Sequence, residues 1–163
     1  MCEKYFANVK DVFWAFMEKA YATIDRHSMW QMLIRVYGVG GKWLKALESL
    51  YADSRASVRG GTNVSEWFPV NVGLRQGCVM SPWLFNVYMD GLVREVNARV
   101  LGKGLELLSV NGGRFEINQL LFADDTALVA DSEQKLCGLV SEFGRVCERR
   151  KSRVNVGKSK VMW

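Results

Sequence analysis

The sequence contains only two prolines, Pro69 and Pro82, and no low-complexity stretch, which excludes a collagen and a disordered linker. Long apolar runs are missing too. The longest uncharged stretch near the middle, Gln76 to Met89, covers fourteen residues, short of the roughly 20 that cross a bilayer. The N-terminus has an acid at Glu3, and its apolar run Val12 to Met17 is too short for a signal-peptide core. An intracellular chain is expected, nuclear or cytoplasmic and not secreted, with no membrane partner. Four cysteines (Cys2, Cys78, Cys137, Cys147) form no Cys-x-x-Cys pair, and the single histidine, His27, has no such partner nearby. Zinc fingers and disulfide frameworks are therefore disfavoured. No stable protein partner can be inferred.

What is present suits one folded unit. At 163 residues, 49% hydrophobic and 24% charged, the chain can bury one core. A single domain over residues 1–163 is expected, with its core at about 12–162. The net charge of +5 is unevenly placed: from Lys135 onward it is +6, and elsewhere −1. Arg145, Arg149, Arg150, Lys151 and Arg153 form a basic tract suited to a phosphate backbone, where each contact releases counterions. A solvated helix face is the plain alternative.

Hydrophobic spacing predicts the elements. Val12 to Met17 suits a buried strand, and Met29, Met32, Leu33 and Val36 mark a helix over Ser28 to Tyr37 closed by Gly38. Trp43, Leu44, Leu47 and Leu50 mark a second helix. Ala56 to Arg59 and Glu66 to Val72 read as strands around Gly60-Gly61. Ser81-Pro82 starts a long amphipathic helix, with the serine capping free amides and proline at a position that needs no donor. Leu105 to Val110 and Phe115 onward flank Asn111-Gly112-Gly113 as a hairpin. A second hairpin, Asn118 to Ala123 with Thr126 to Ala130, flanks Asp124-Asp125. Asp131 is expected to cap a last helix, followed by strand pieces at Arg153 to Val156 and Val161 to Trp163.

Two adjacent carboxylates at an apolar hairpin tip are the sharpest feature. On a regular strand they would face opposite sides, but at a turn both can enter one site. Like charges so close resist joint ionisation without a cation between them, and magnesium prefers carboxylate and phosphate oxygens. A hydrophilic turn is the plain alternative.

Phe122-Ala123-Asp124-Asp125, together with the upstream stretch Leu74 to Phe85 containing Arg75-Gln76-Gly77 and Ser81-Pro82, resembles the reverse transcriptases of non-long-terminal-repeat (LINE-type) retroelements. The first stretch is similar to the family's aromatic-x-Asp-Asp metal motif, the second to its Gln-Gly-x-x-x-Ser-Pro motif. The resemblance implies an α+β fold: the palm of a right-hand polymerase, an antiparallel sheet with helices packed on one face, truncated of its fingers and thumb. It implies RNA-directed DNA synthesis with two magnesium ions, manganese being an alternative. An RNA template, a DNA primer and deoxynucleoside triphosphates would be the partners. Asp124 and Asp125 would hold the metals; Arg75, Gln76, Gly77, Ser81, Pro82 and Phe122 would meet nucleotide or template; Lys158 would stand near the nucleotide phosphates. Asn155 to Lys160 nearly spells a Walker A loop, but the first glycine position holds Ser152 and no strand precedes it.

One family motif is broken. An apolar run followed by Asp-Leu-Glu-Lys-Ala-Tyr-Asp is expected, and this chain reads Phe16-Met17-Glu18-Lys19-Ala20-Tyr21-Ala22. Counted from the strand, Glu18 takes the missing aspartate's place as a metal ligand. Counted from downstream, Tyr21 keeps its place as the ring that crowds a ribose 2′-hydroxyl. Both counts cannot hold at once. Impaired polymerisation is expected, and a non-catalytic nucleic-acid-binding remnant is the second reading. A relic with marginal folding is the third.

Overall fold

The computed structural model describes residues 11–162; Cys2 and the expected strand end at Trp163 lie outside them. In chain order the first elements are β1 (Asp11–Phe16), α1 (Ala20–Thr23), α2 (Arg26–Tyr37), α3 (Gly41–Ala52), β2 (Arg55–Ala56), β3 (Arg59–Gly60), β4 (Asn63–Val64) and β5 (Phe68–Pro69). There follow α4 (Ser81–Asn97), β6 (Leu105–Leu108), β7 (Arg114–Ile117), β8 (Gln119–Phe122), β9 (Asp125–Ala130), α5 (Glu133–Arg149) and β10 (Lys160–Met162). Where the sequence shows no break, contacts divide the chain into two compact units, Tyr21–Tyr88 and the remainder. The divide falls inside α4, so no linker composition marks it. No helix among the described residues is long and apolar enough to cross a membrane.

The unit containing both ends of the described chain is built on an antiparallel sheet ordered β10-β1-β9-β8. β1 and β9 are its centre, in register from Asp11 opposite Ala130 to Phe16 opposite Asp125. The apolar run of β1 predicts a buried strand, yet Trp14 is 38% exposed and Val12, Phe13 and Phe16 are half-buried, whereas β9 is buried at every position from Thr126 to Ala130. Helix α5 packs against both strands. Its stripe of Leu136, Leu139, Phe143, Val146 and Cys147 is buried, each large apolar side chain contributing about 1.5–3 kcal/mol. Burial also pushes the Cys147 thiol up to about 12, leaving it protonated at neutral pH.

Asp131 does not cap α5. The cap position is Ser132, without a side-chain bond, because Asp131 instead accepts from Lys135 Nζ at 2.6 Å, one helical turn on. The predicted hairpin around Asn111-Gly112 forms between β6 and β7. The expected strand over Arg153 to Val156 shrinks to one bridge, Val154 with Met17.

In the unit Tyr21–Tyr88, α2 begins two residues earlier than its apolar spacing predicts. Asp25 caps it, its carboxylate accepting from the Ser28 amide at 3.0 Å and the Ser28 hydroxyl at 2.7 Å. Gly38 closes it in the left-handed region, as expected. The core here includes Ile24, Met29, Leu33, Tyr51, Leu74, Leu84 and Phe85. The strands expected around Gly60-Gly61 form two separate short ladders, β2 with β5 and β3 with β4.

Candidate active site

The acid pair sits where the sequence predicts a hairpin. Phe122 pairs with Asp125, so the β8–β9 loop is just Ala123 and Asp124. Ala123 has φ 53 and Asp124 has no positive φ. A positive φ at the first residue of a two-residue hairpin loop is a conformation that normally belongs to glycine. Here alanine bears the strain.

Asp124 is exposed and Asp125 half-buried. Neither carboxylate has a hydrogen-bond or ion-pair partner among the described residues. Two adjacent acceptor-only groups with no donor among the described residues fit a divalent cation, since magnesium is commonly bound by one or two carboxylates plus substrate phosphates. They do not supply a third ligand. Among the described residues no three His, Cys, Asp or Glu side chains form a metal-binding group, so Glu18 does not join Asp124 and Asp125 in this structure. Glu18 lies past the end of β1, half-buried, its amide donating to the Arg153 carbonyl at 2.8 Å. The position across from Asp125 is occupied by Phe16.

Phe16 also ties the expected lysine to this hairpin. Its carbonyl accepts from the Asn155 amide at 2.7 Å, and its amide donates to Ser159 Oγ at 3.4 Å. The turn Asn155 to Ser159, which carries Lys158, is thereby stitched to Asp125's cross-strand partner. Asn155 closes that turn, its side-chain oxygen accepting from the Lys158 amide at 3.1 Å. The Lys158 side chain is exposed and has no partner among the described residues.

The basic tract is largely spent on ion pairs. Arg145 binds Glu142 at 2.5 Å, while Arg149 and Arg150 both bind Glu95, at 2.6 and 2.8 Å. Lys151 is exposed with φ 58, past the end of α5. Arg153 is exposed and unpaired among the described residues.

Within the unit Tyr21–Tyr88, a pocket of about 430 Å³ is bordered by Tyr21, Arg75, Gln76, Gly77, Ser81 and Pro82. Six residues chosen from two separate motifs thus meet at one place. The Tyr21 ring stacks on Phe85, centroids 4.5 Å apart and planes 8° apart, and its carbonyl accepts from the Leu74 amide at 2.8 Å. Gly77 has φ 80 with open space around it, so backbone conformation, not crowding, calls for glycine there. Cys78 also borders the pocket, and a hydrogen bond from the Met80 backbone leads the effects that lower its thiol below the ordinary value.

Ser81 does not cap α4 with its hydroxyl, which donates to the Arg75 carbonyl at 2.6 Å. Two residues outside the motifs hold the segment leading into Arg75. Arg26 donates to the carbonyls of Gly73 and Val70, each at 2.8 Å, and stands 4.9 Å from the Tyr51 ring centroid. Burial lowers its pKa from the usual guanidinium value. Tyr51 is buried beneath both Arg26 and Arg75. The Asp25-Arg26 pair at a helix start was a visible signal for the first; Tyr51 gave none.

The sheet unit thus presents an antiparallel sheet with an acid pair on its hairpin, neither carboxylate partnered among the described residues. The chain matches the family described as "Reverse transcriptase (RNA-dependent DNA polymerase)" over residues 15–163. It belongs to that family, as a reverse transcriptase domain of the non-long-terminal-repeat type. It is 29% identical over 120 residues to the "Retrovirus-related Pol polyprotein from type-2 retrotransposable element R2DM" of Drosophila melanogaster. That match covers 74% of this chain and 10% of the polyprotein. Among solved structures it is similar in fold to telomerase from Candida tropicalis in complex with a fragment of telomeric RNA, with a TM-score of 0.72 and 10% identity. That likeness covers 99% of this chain and 28% of the telomerase. Telomerase from Candida albicans, also with telomeric RNA, gives 0.69 at 11% identity, over 94% of this chain and 27% of its own.

Proposed function

We propose that this chain is the nucleotide-adding part of a retroelement reverse transcriptase, built to extend a DNA primer along an RNA template and impaired in that step. The observation that carries the reading is the Asp124-Asp125 pair on the β8–β9 hairpin, whose carboxylates have no partner among the described residues. In the reaction the primer 3′-oxygen forms a bond to the α-phosphorus of a deoxynucleoside triphosphate, the α–β phosphoanhydride bond breaks, and pyrophosphate leaves. Asp124 and Asp125 would hold magnesium, or manganese in its place. A divalent ion bound there supplies charge neutralisation for the phosphates and acidifies the attacking hydroxyl.

The chain's own residues divide the remaining work. Gln76 offers both donor and acceptor to a base pair, and Gly77 lets that pair approach the backbone. Tyr21, braced by Phe85, walls the nucleotide pocket. Phe122, 83% exposed beside the acids, offers a face to the primer end or base. Lys158, exposed and without a partner among the described residues, can give its proton to the departing pyrophosphate. Arg153 can reach a phosphate backbone; Arg145, Arg149 and Arg150 must first give up carboxylate partners.

Impairment follows from β1. Its only acid, Asp11, pairs with Ala130 at the far end of the strand from Asp125, so β1 would offer no third carboxylate to a second metal. Primer extension on a homopolymer RNA, with magnesium or manganese, is the test. Weak or absent extension is expected; robust processive synthesis would overturn the impairment. The same missing carboxylate favours a second reading, a nucleic-acid-binding remnant, which predicts steeply salt-dependent binding without extension.

A further inference from the structure

We infer that Tyr51 and Ser81 are positioning residues that hold Arg75, and through it the Gln76-Gly77 loop, in place. Ser81 belongs to a motif whose members are expected to touch nucleotide or template, yet it is 1% exposed. Its hydroxyl proton is already committed, because Oγ donates to the Arg75 carbonyl at 2.6 Å. A serine hydroxyl carries one proton. In the 3.2 Å contact between Tyr51 Oη and Ser81 Oγ, Tyr51 is therefore the donor. The result is a relay, Tyr51 to Ser81 to the Arg75 carbonyl, with both hydroxyls buried.

The same tyrosine secures the other end of Arg75. The guanidinium carbon lies 5.6 Å from the Tyr51 ring centroid, within cation–π range. Nη2 of Arg75 donates to Ser54 Oγ at 3.1 Å, and Ser54 Oγ in turn donates to the Tyr51 carbonyl at 3.0 Å. Arg75 is thus held at its carbonyl and at its guanidinium by groups that converge on one residue of α3. The neighbours Gln76 and Gly77 remain exposed. Their backbone is confined between Arg75 and the turn in which the Cys78 amide reaches back to the Arg75 carbonyl at 3.4 Å. This rests on the function proposed above only in taking the loop as the surface that meets nucleotide.

Hydrogen exchange on the full chain, read by mass spectrometry over Leu74 to Met80, tests the relay. Tyr51→Phe keeps the ring and its cation contacts but removes the donor, and Ser81→Ala removes both bonds. Tyr51→Phe should quicken exchange in this segment by about threefold to tenfold, the loss of one ordinary hydrogen bond, and Ser81→Ala, which loses two, by more. Because Tyr51 acts through Ser81, the double variant should exchange no faster than Ser81→Ala alone. Exchange at β6 and β7 should not change. Unaltered loop exchange in Tyr51→Phe, a doubled effect in the double variant, or equal quickening across the chain would each overturn the inference. Titration of the unaltered chain with a deoxynucleoside triphosphate keeps the two ideas apart. Slow exchange that depends on Tyr51 without any nucleotide binding retires the loop's proposed role and leaves the relay standing.

Discussion

Phe16 stands directly across the sheet from Asp125. Paired residues on neighbouring antiparallel strands face the same side, so the side of the sheet beside Asp125 carries the Phe16 ring. Inserting Asp-Leu between Met17 and Glu18 places an acid immediately past Met17, whose bridge to Val154 ends the pairing of β1. Primer extension should then rise by about 100-fold, the scale of rate lost when a reacting group is misplaced by ~1 Å. No gain from the insertion would count against the missing aspartate as the cause of impairment.

Ala123 occupies the glycine position of the hairpin turn, with φ 53. Such conformations cost a residue with a side chain about 1–2 kcal/mol, offset in part by the greater unfolded-state freedom of glycine. Ala123→Gly should stabilise the chain by about 0.5–1 kcal/mol in urea unfolding. A destabilisation would mean that the turn is not strained.

Glu95 gathers Arg99, Arg149 and Arg150 at 3.7, 2.6 and 2.8 Å. Glu95 and Arg150 are largely buried, so removing the acid leaves cations without compensation and should cost about 1–3 kcal/mol. Glu95→Gln should also release Arg149 for phosphates while Arg150 keeps its bond to the Gly91 carbonyl, steepening the salt dependence of binding to single-stranded RNA by about one counterion. An unchanged slope would show that Arg149 does not face nucleic acid.

The Asp131–Lys135 pair makes stability depend on pH. The hydrogen bond from Lys135 holds the Asp131 carboxyl below its ordinary 3.8, and the bond to Asp131 holds the Lys135 ammonium above its ordinary 10.5. The aspartate's contribution is present above its unfolded value and lost as pH falls through the folded one. The lysine's is present below its unfolded value and lost as pH rises through its folded one. Lys135→Met should therefore lower the melting temperature slightly across neutral pH, with the difference closing below the aspartate range. A difference that persists in acid would mean that packing, not charge, is lost.

Much of this architecture is readable from local pattern. The apolar runs at Val12 to Met17 and Thr126 to Ala130 become paired strands, Asp124-Asp125 falls at the hairpin tip, and Ser81-Pro82 opens a long helix. Competition for partners is not readable in this way. Asp131 could cap a helix or bind a lysine one turn on, and only the folded geometry decides; Ser81 could bond its own helix or the Arg75 carbonyl. The basic tract looks available to phosphate because Glu95 lies more than fifty residues from Arg149 and Arg150 in sequence. Tyr51 sits in an ordinary amphipathic helix, and its importance comes from which side chains the fold lays over it.

Manganese binding by the full chain, followed by electron paramagnetic resonance with and without a deoxynucleoside triphosphate, tests the central claim most directly. The Asp124-Asp125 hairpin should bind the ion weakly alone and more tightly once phosphates supply the remaining ligands, and the double variant Asp124→Asn, Asp125→Asn should lose both effects. Equal manganese binding by the double variant, with or without the nucleotide, would contradict the account.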